Sequence, residues 1–171
     1  MGFELMNSLV LGIDPGLART GWAVVEYKNP SEMCYIASGV ISTNAREELS
    51  KRIRKIHEGV TEVIDNFDPN VSVLEKIFVN SNPCSSLKLA YCRGALMLTL
   101  ALKSLPVLEI APNAIKKRIT GSGHATKLQI RYMVEKLLGL NLNLSKYSDL
   151  YDALALASSV THYDITAVQR A

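Results

Sequence analysis

Apolar residues along this chain fall into short unbroken runs and longer helical stripes, and the order of the two predicts a mixed α/β architecture. Residues 9–14, Leu9-Val10-Leu11-Gly12-Ile13-Asp14, form an almost continuously apolar run closed by Pro15-Gly16, the pattern of a central strand buried on both faces. Residues 21–27, with Trp22, Val24 and Val25, and residues 33–42, after the turn-like Lys28-Asn29-Pro30-Ser31, predict two more strands and complete an antiparallel meander. From 45 to 67, Leu49, Ile53, Ile56, Val60, Val63, Ile64 and Phe67 draw a helical stripe that leaves Lys51, Arg52, Arg54 and Lys55 mainly outside. Residues 71–75 predict the next buried strand, 85–105 a long helix stopped by Pro106, and 107–110 another short strand. Helices follow over 112–119, 127–138 and about 148–162, with a flexible Gly-Ser-Gly loop at 120–126 and a polar linker at 141–147.

Composition narrows the setting. With 171 residues, 48% of them hydrophobic, the chain suits one compact domain with a core over about 9–162 and short tails. The formal net charge of +3 is compatible with a polyanionic partner but does not identify one. Cys34, Cys84 and Cys92 form an odd set without a Cys-x-x-Cys, which favours a reducing, cytoplasmic setting. The longest apolar stretch, residues 95–102, lies between Arg93 and Lys103, is far too short to span a bilayer and reads as a buried helix. Residues 1–8 contain an acid and no basic segment, so neither a secretory signal nor a membrane role is expected.

The chemistry gathers in four carboxylates that stand at segment ends: Asp14, Glu75, Asp149 and Asp152. Each alone has an ordinary structural reading. Asp14 before Pro-Gly could cap a turn, Glu75 could emerge at an exposed strand end, and Asp149 with Asp152 could be a solvated capping pair on the first helical turn. The alternation Ala153-Leu154-Ala155-Leu156-Ala157 lets that helix lie close to the sheet, so the pair could face the two strand-end acids. Four converging carboxylates repel one another by on the order of several kcal/mol unless screened. Divalent cations remove that conflict, and hard oxygen donors select Mg²⁺. Two such ions roughly 3.5 to 4 Å apart are a known device for phosphodiester cleavage. The three histidines are scattered and no His/Cys set competes for a metal.

The motifs Gly12-Ile13-Asp14-Pro15-Gly16, Thr20-Gly21-Trp22, Glu75-Lys76-Ile77-Phe78, Leu87-Lys88-Leu89 with Arg93-Gly94, and Asp149-x-x-Asp152-Ala153-Leu154-Ala155 follow one another in the order seen in one family. From about residue 9 to 162 the chain resembles the RuvC Holliday junction resolvases. That resemblance implies a ribonuclease H-like α/β fold, a mixed central sheet flanked by helices with the three-strand meander at its start. It implies a homodimer that nicks four-way junction DNA symmetrically with Mg²⁺, two ions per active site and Mn²⁺ as a substitute, and that works with a branch-migration complex of RuvA and RuvB in recombination and repair.

Carried over by position, Asp14, Glu75, Asp149 and Asp152 match the family's catalytic and metal-binding acids. Phe78 matches an aromatic placed near distorted bases, where stacking is worth about 1 to 3 kcal/mol in single-strand binders. Lys116 and Lys127 match basic positions bracketing the Gly-Ser-Gly loop, and Lys88 and Arg93 lie in the remaining basic motifs, so all four are candidate DNA contacts. His124 in that loop has a conceivable DNA role, and the helix at 94–102 is a candidate dimer contact. Lys76 stands where many relatives carry Gln, and Ala90-Tyr91-Cys92 replaces the commoner Gly-Gln-Ala; both bear on junction contacts rather than on the reaction. The competing readings are another ribonuclease H-like nuclease acting on RNA or branched DNA, and a non-catalytic junction-binding module.

Overall fold

A computed structural model describes residues 8–29, 32–76, 83–140, 148–161 and 164. Ten elements follow in the order β1 (Ser8–Asp14), β2 (Arg19–Asn29), β3 (Glu32–Ser42), α1 (Leu49–Phe67), β4 (Val71–Glu75), α2 (Pro83–Leu102), β5 (Val107–Ile110), α3 (Pro112–Thr120), α4 (Lys127–Leu137) and α5 (Ser148–Ser158). They build one five-stranded sheet of order β3-β2-β1-β4-β5. The first three strands pair antiparallel, and β4 and β5 add on parallel to β1. This is the mixed sheet and meander expected from the apolar runs.

Alternation along the central strands divides the core in two. Val10, Val25, Val71 and Val73 point into one layer with α3, α4 and α5, whereas Leu11, Ile13, Val24 and Leu74 point into the other with α1 and α2. Both faces of β1 and β4 are therefore covered, which explains why those strands read as unbroken apolar runs.

Helix ends differ from the expected ones where a side chain competes for the backbone. Helix α1 starts at Leu49 rather than 45 because Asn44 holds a turn: its side chain accepts from the Arg46 amide at 3.0 Å and its carbonyl from the Glu47 amide at 3.1 Å. Helix α2 stops at Leu102, where Ser104 enters the left-handed region at φ 53° and the Leu105 amide reaches back to the Leu100 carbonyl at 3.0 Å. Helix α4 begins as expected, fixed by a reciprocal cap between Thr126 and Gln129. The 120–126 segment, expected to be flexible, is a bonded turn: the Thr120 hydroxyl donates to Lys116 O at 2.8 Å and accepts from the Ser122 amide at 3.2 Å.

One expectation is corrected outright. Residues 95–102 form a helix that is buried on one side only: Leu96, Thr99 and Leu100 are enclosed, whereas Leu98 and Leu102 are 60% and 68% exposed. The unbroken run mixes an inner and an outer apolar face, which hydropathy alone does not separate.

Candidate active site

Strand register brings the first two acids together. Ile13 pairs with Leu74 in the parallel β1–β4 ladder, so Asp14 and Glu75, one residue further on, end adjacent central strands side by side. Helix α5 crosses β1 and β2 and carries Asp149 and Asp152 on its first turns. Its approach depends on two glycines. A Cβ on Gly12 would lie 2.3 Å from Ala153 O, and one on Gly21 would lie 2.1 Å from Asp149 O. The other end is tied down by the Tyr27 hydroxyl, which donates to Ala157 O at 2.9 Å.

The electrostatics show that the four acids share one field. Burial first, and then the charges of Asp152, Asp149 and Glu75, raise the Asp14 carboxyl from 3.8 to about 7; Lys127 opposes them. Glu75 is also raised, by burial and then by Asp152, against the lowering influence of Lys116, Lys127 and Arg93. Two cations hold the helix-borne pair. Arg19 Nε lies 2.8 Å from Asp149 Oδ2, and Lys127 Nζ donates to Asp152 Oδ2 at 3.1 Å. Asp14, Glu75, Asp152, Lys116 and Lys127 line a cleft of about 190 Å³ whose apolar walls include Ile115, Ile130 and Leu156.

Among the described residues, no three His, Cys, Asp or Glu side chains stand as a ready-made metal cage. The donor set nonetheless fits Mg²⁺. It offers oxygen alone, and a half-buried Asp14 raised to about 7, first by burial and then by the charges of three other acids, is a conflict that a divalent cation relieves.

The candidate DNA contacts divide. Lys116 and Lys127 reach the cleft, while Lys88 is exposed on α2 outside its lining. Arg93 turns inward. Its guanidinium donates to the Glu75 backbone carbonyl at 2.7 Å and pairs with Glu109 of β5, leaving the side chain 12% exposed. It braces the strand end that carries Glu75. Phe78 lies outside the described residues. His57 joins α1 to α2 through a 2.8 Å hydrogen bond between Nδ1 and the Thr99 hydroxyl. His124 is exposed in the 120–126 turn. Cys92 is fully enclosed, whereas the side chain of Cys84 lies outside the described residues.

Sequence reasoning missed Arg19, Gly12 and Gly21 as parts of the site. A glycine inside a buried strand does signal close backbone approach. Nothing local pairs Arg19 with an acid 130 positions away.

The sheet order, the paired strand-end acids and the helix laid across β1 and β2 define a ribonuclease H-like protein. Residues 10–162 match the family model described as crossover junction endodeoxyribonuclease RuvC. The Neorickettsia sennetsu crossover junction endodeoxyribonuclease RuvC is 63% identical over 94% of this chain and 96% of its own length. That of Rickettsia prowazekii is 44% identical over 87% of this chain and 94% of its own. A Thermus thermophilus RuvC solved in complex with a Holliday junction substrate superposes with a TM-score of 0.86 at 30% identity, covering 94% of this chain and 97% of that one. The yeast mitochondrial Holliday junction resolvase, at 16% identity, covers 89% of this chain and 77% of its own with a TM-score of 0.66 and shares the fold. The chain belongs to the RuvC family of endodeoxyribonucleases.

Proposed function

We propose that this protein is a structure-selective endonuclease that resolves four-way DNA junctions by paired, symmetric, Mg²⁺-dependent phosphodiester hydrolysis. The observation that carries the proposal is the convergence of Asp14, Glu75, Asp149 and Asp152 at one end of the sheet, in a single electrostatic field beside a cleft with two lysines. Family membership supplies the substrate: the relatives are named for crossover junctions, and a structural neighbour holds a Holliday junction.

Asp14, Glu75, Asp149 and Asp152 would hold the metal. When bound, Mg²⁺ supplies activation of water and stabilisation of the departing oxygen. Lys116 and Lys127 take phosphate oxygens at the cleft mouth and set the strand's register. Arg93 keeps the Glu75 backbone in place through its carbonyl, and Ile115, Ile130 and Leu156 form an apolar wall that limits water access. Phe78 is proposed to stack on a distorted base, and Lys88 to contact the backbone at longer range.

Pairing of two nicks needs two sites. The exposed residues Leu87, Tyr91, Leu98 and Leu102 make a stripe along the outer face of α2, with exposed Gly94 between them, and this supports a homodimer through that helix. The sheet serves both helical layers as one unit, which supports a single domain. Cooperation with a branch-migration complex of RuvA and RuvB rests on family membership. No described helix is long and apolar enough to cross a membrane, and a cytoplasmic location is proposed on the same family basis.

The test is cleavage of a substrate panel of four-way junction, linear duplex, flap and RNA–DNA hybrid, each with Mg²⁺ and with EDTA. Mg²⁺-dependent cutting confined to the junction is expected. Equal cutting of flap or hybrid would favour a general ribonuclease H-like nuclease, and junction binding without cutting a non-catalytic module.

A further inference from the structure

We infer that Arg19 is a positioning residue for the metal-binding acid Asp149. The inference rests on the four-acid reading and goes beyond it by adding a residue that ligates nothing and contacts no DNA.

Both ends of the Arg19–Asp149 pair are fixed by the backbone. On the Arg19 side, the turn that follows Asp14 is braced by three neighbours. The Thr20 hydroxyl donates to Gly16 O at 2.9 Å, the Thr43 hydroxyl donates to Leu17 O at 2.5 Å, and Arg52 donates to that same carbonyl at 3.2 Å and to the Thr43 hydroxyl at 2.9 Å. On the Asp149 side, the helix backbone rests directly on Gly21, two residues along β2 from Arg19. The distance between the two Cα atoms is thus set by packed main chain and not by the side chains themselves.

The pair is poorly suited to a stabilising role. The Arg19 side chain is 48% exposed, and exposed ion pairs contribute about 0 to 1 kcal/mol. What it does instead is choose an oxygen. Asp149 Oδ2 is buried, accepts no hydrogen bond among the described contacts, and faces Arg19 Nε at an ion-pair distance of 2.8 Å, whereas Oδ1 is approached by the Ser148 hydroxyl at 3.5 Å and by no other donor among the described contacts. Charge attraction keeps Oδ2 turned towards the guanidinium, which biases the carboxylate to one orientation and leaves Oδ1 for a cation. Carboxylate ligands are commonly held by such partners, and loss of one typically costs ten- to a hundred-fold in metal affinity or activity.

The closing experiment titrates Mn²⁺ alone into the DNA-free protein, reads free ion by electron paramagnetic resonance, and separately measures junction affinity against salt in EDTA. For Arg19→Ala, Mn²⁺ binding about ten-fold weaker than wild type is expected, with Arg19→Lys between the two and an unchanged salt slope for junction binding. Unchanged or tighter Mn²⁺ binding by Arg19→Ala would make Arg19 a mere counter-charge and overturn the inference. So would a reduced salt slope, which would make it a phosphate contact. Asp149→Asn separates this failure from that of the underlying reading: if it binds Mn²⁺ like wild type, the metal site itself is misassigned, whatever Arg19 does.

Discussion

Gly21 of β2 and Asp149 of α5 touch through main chain: a Cβ on the glycine would stand 2.1 Å from the Asp149 carbonyl oxygen. This contact sets the height of the helix that bears two of the four acids. Gly21→Ala must lift the first turn of α5 and carry Asp149 away from Asp14. Forced overpacking of this kind costs about 1 to 3 kcal/mol. A melting temperature lowered by roughly 2 to 12 °C is expected for a domain of this size, with cleavage lost by more than the loss of folded protein explains. Thermal melts beside cleavage rates at a temperature where both proteins are folded would check it. A variant of full activity would mean that α5 does not depend on this contact.

Asp14 makes the metal-free protein sensitive to pH. Its folded-state value of about 7 lies above its unfolded value of 3.8, so between those limits the folded chain holds a proton that the unfolded chain has released. Stability therefore falls as pH rises from about 4 to about 7 and stays reduced above that, by on the order of 4 kcal/mol. Melting in EDTA at pH 5 and pH 8 should show the loss, Asp14→Asn should remove most of it, and Mg²⁺ at pH 8 should restore stability to the wild type alone. Parallel melting curves for the two proteins at both pH values would contradict the burial of Asp14 in an acidic field.

Lys116 and Lys127 flank the cleft and are expected to hold phosphates. Each Ala substitution should weaken binding across junction sequences alike and lower the salt slope by about one counterion per contact in each protomer. Binding measured between 50 and 200 mM salt decides; an unchanged slope would return both to solvated surface positions.

The stripe on α2 predicts the assembly state. Leu98→Glu places a charge in the middle of it at a site already 60% exposed, so the monomer should fold normally while sedimentation shifts from dimer to monomer. On a supercoiled cruciform plasmid the variant should release singly nicked circles in place of linear product. A variant that remains dimeric would move the interface elsewhere.

What the sequence revealed and what it hid follow from the range of the interactions. Strands β1 and β4 are short, covered on both faces and ended by an acid, so their apolar runs marked both the core and the positions of Asp14 and Glu75. Asp149 and Asp152, three residues apart on a helix start, were likewise visible as a pair facing one way. The cations were not. Arg93 is basic in a motif that suggested DNA, but it turns inward to Glu75 and Glu109, and only the packing of α2 against β4 and β5 shows this. Arg19 meets Asp149 only because α5 crosses β2, a contact that no local pattern encodes. The helix at 94–102 was legible as a candidate dimer contact but not as two-faced: its apolar residues look like core in one dimension, and half of them face away from it.

The central claim is that four carboxylates form one metal-dependent cleavage site. It is tested most directly by measuring junction binding and Mg²⁺-dependent cleavage side by side for Asp14→Asn, Glu75→Gln, Asp149→Asn and Asp152→Asn. Each swap removes a ligand charge with little change of shape, while the phosphate contacts that supply affinity remain. Cleavage should fall by at least about a hundred-fold in every variant, on the scale of losing one strong electrostatic contact to the transition state, with junction affinity held within a few-fold of wild type. Wild-type cleavage by two or more of the four would contradict the site.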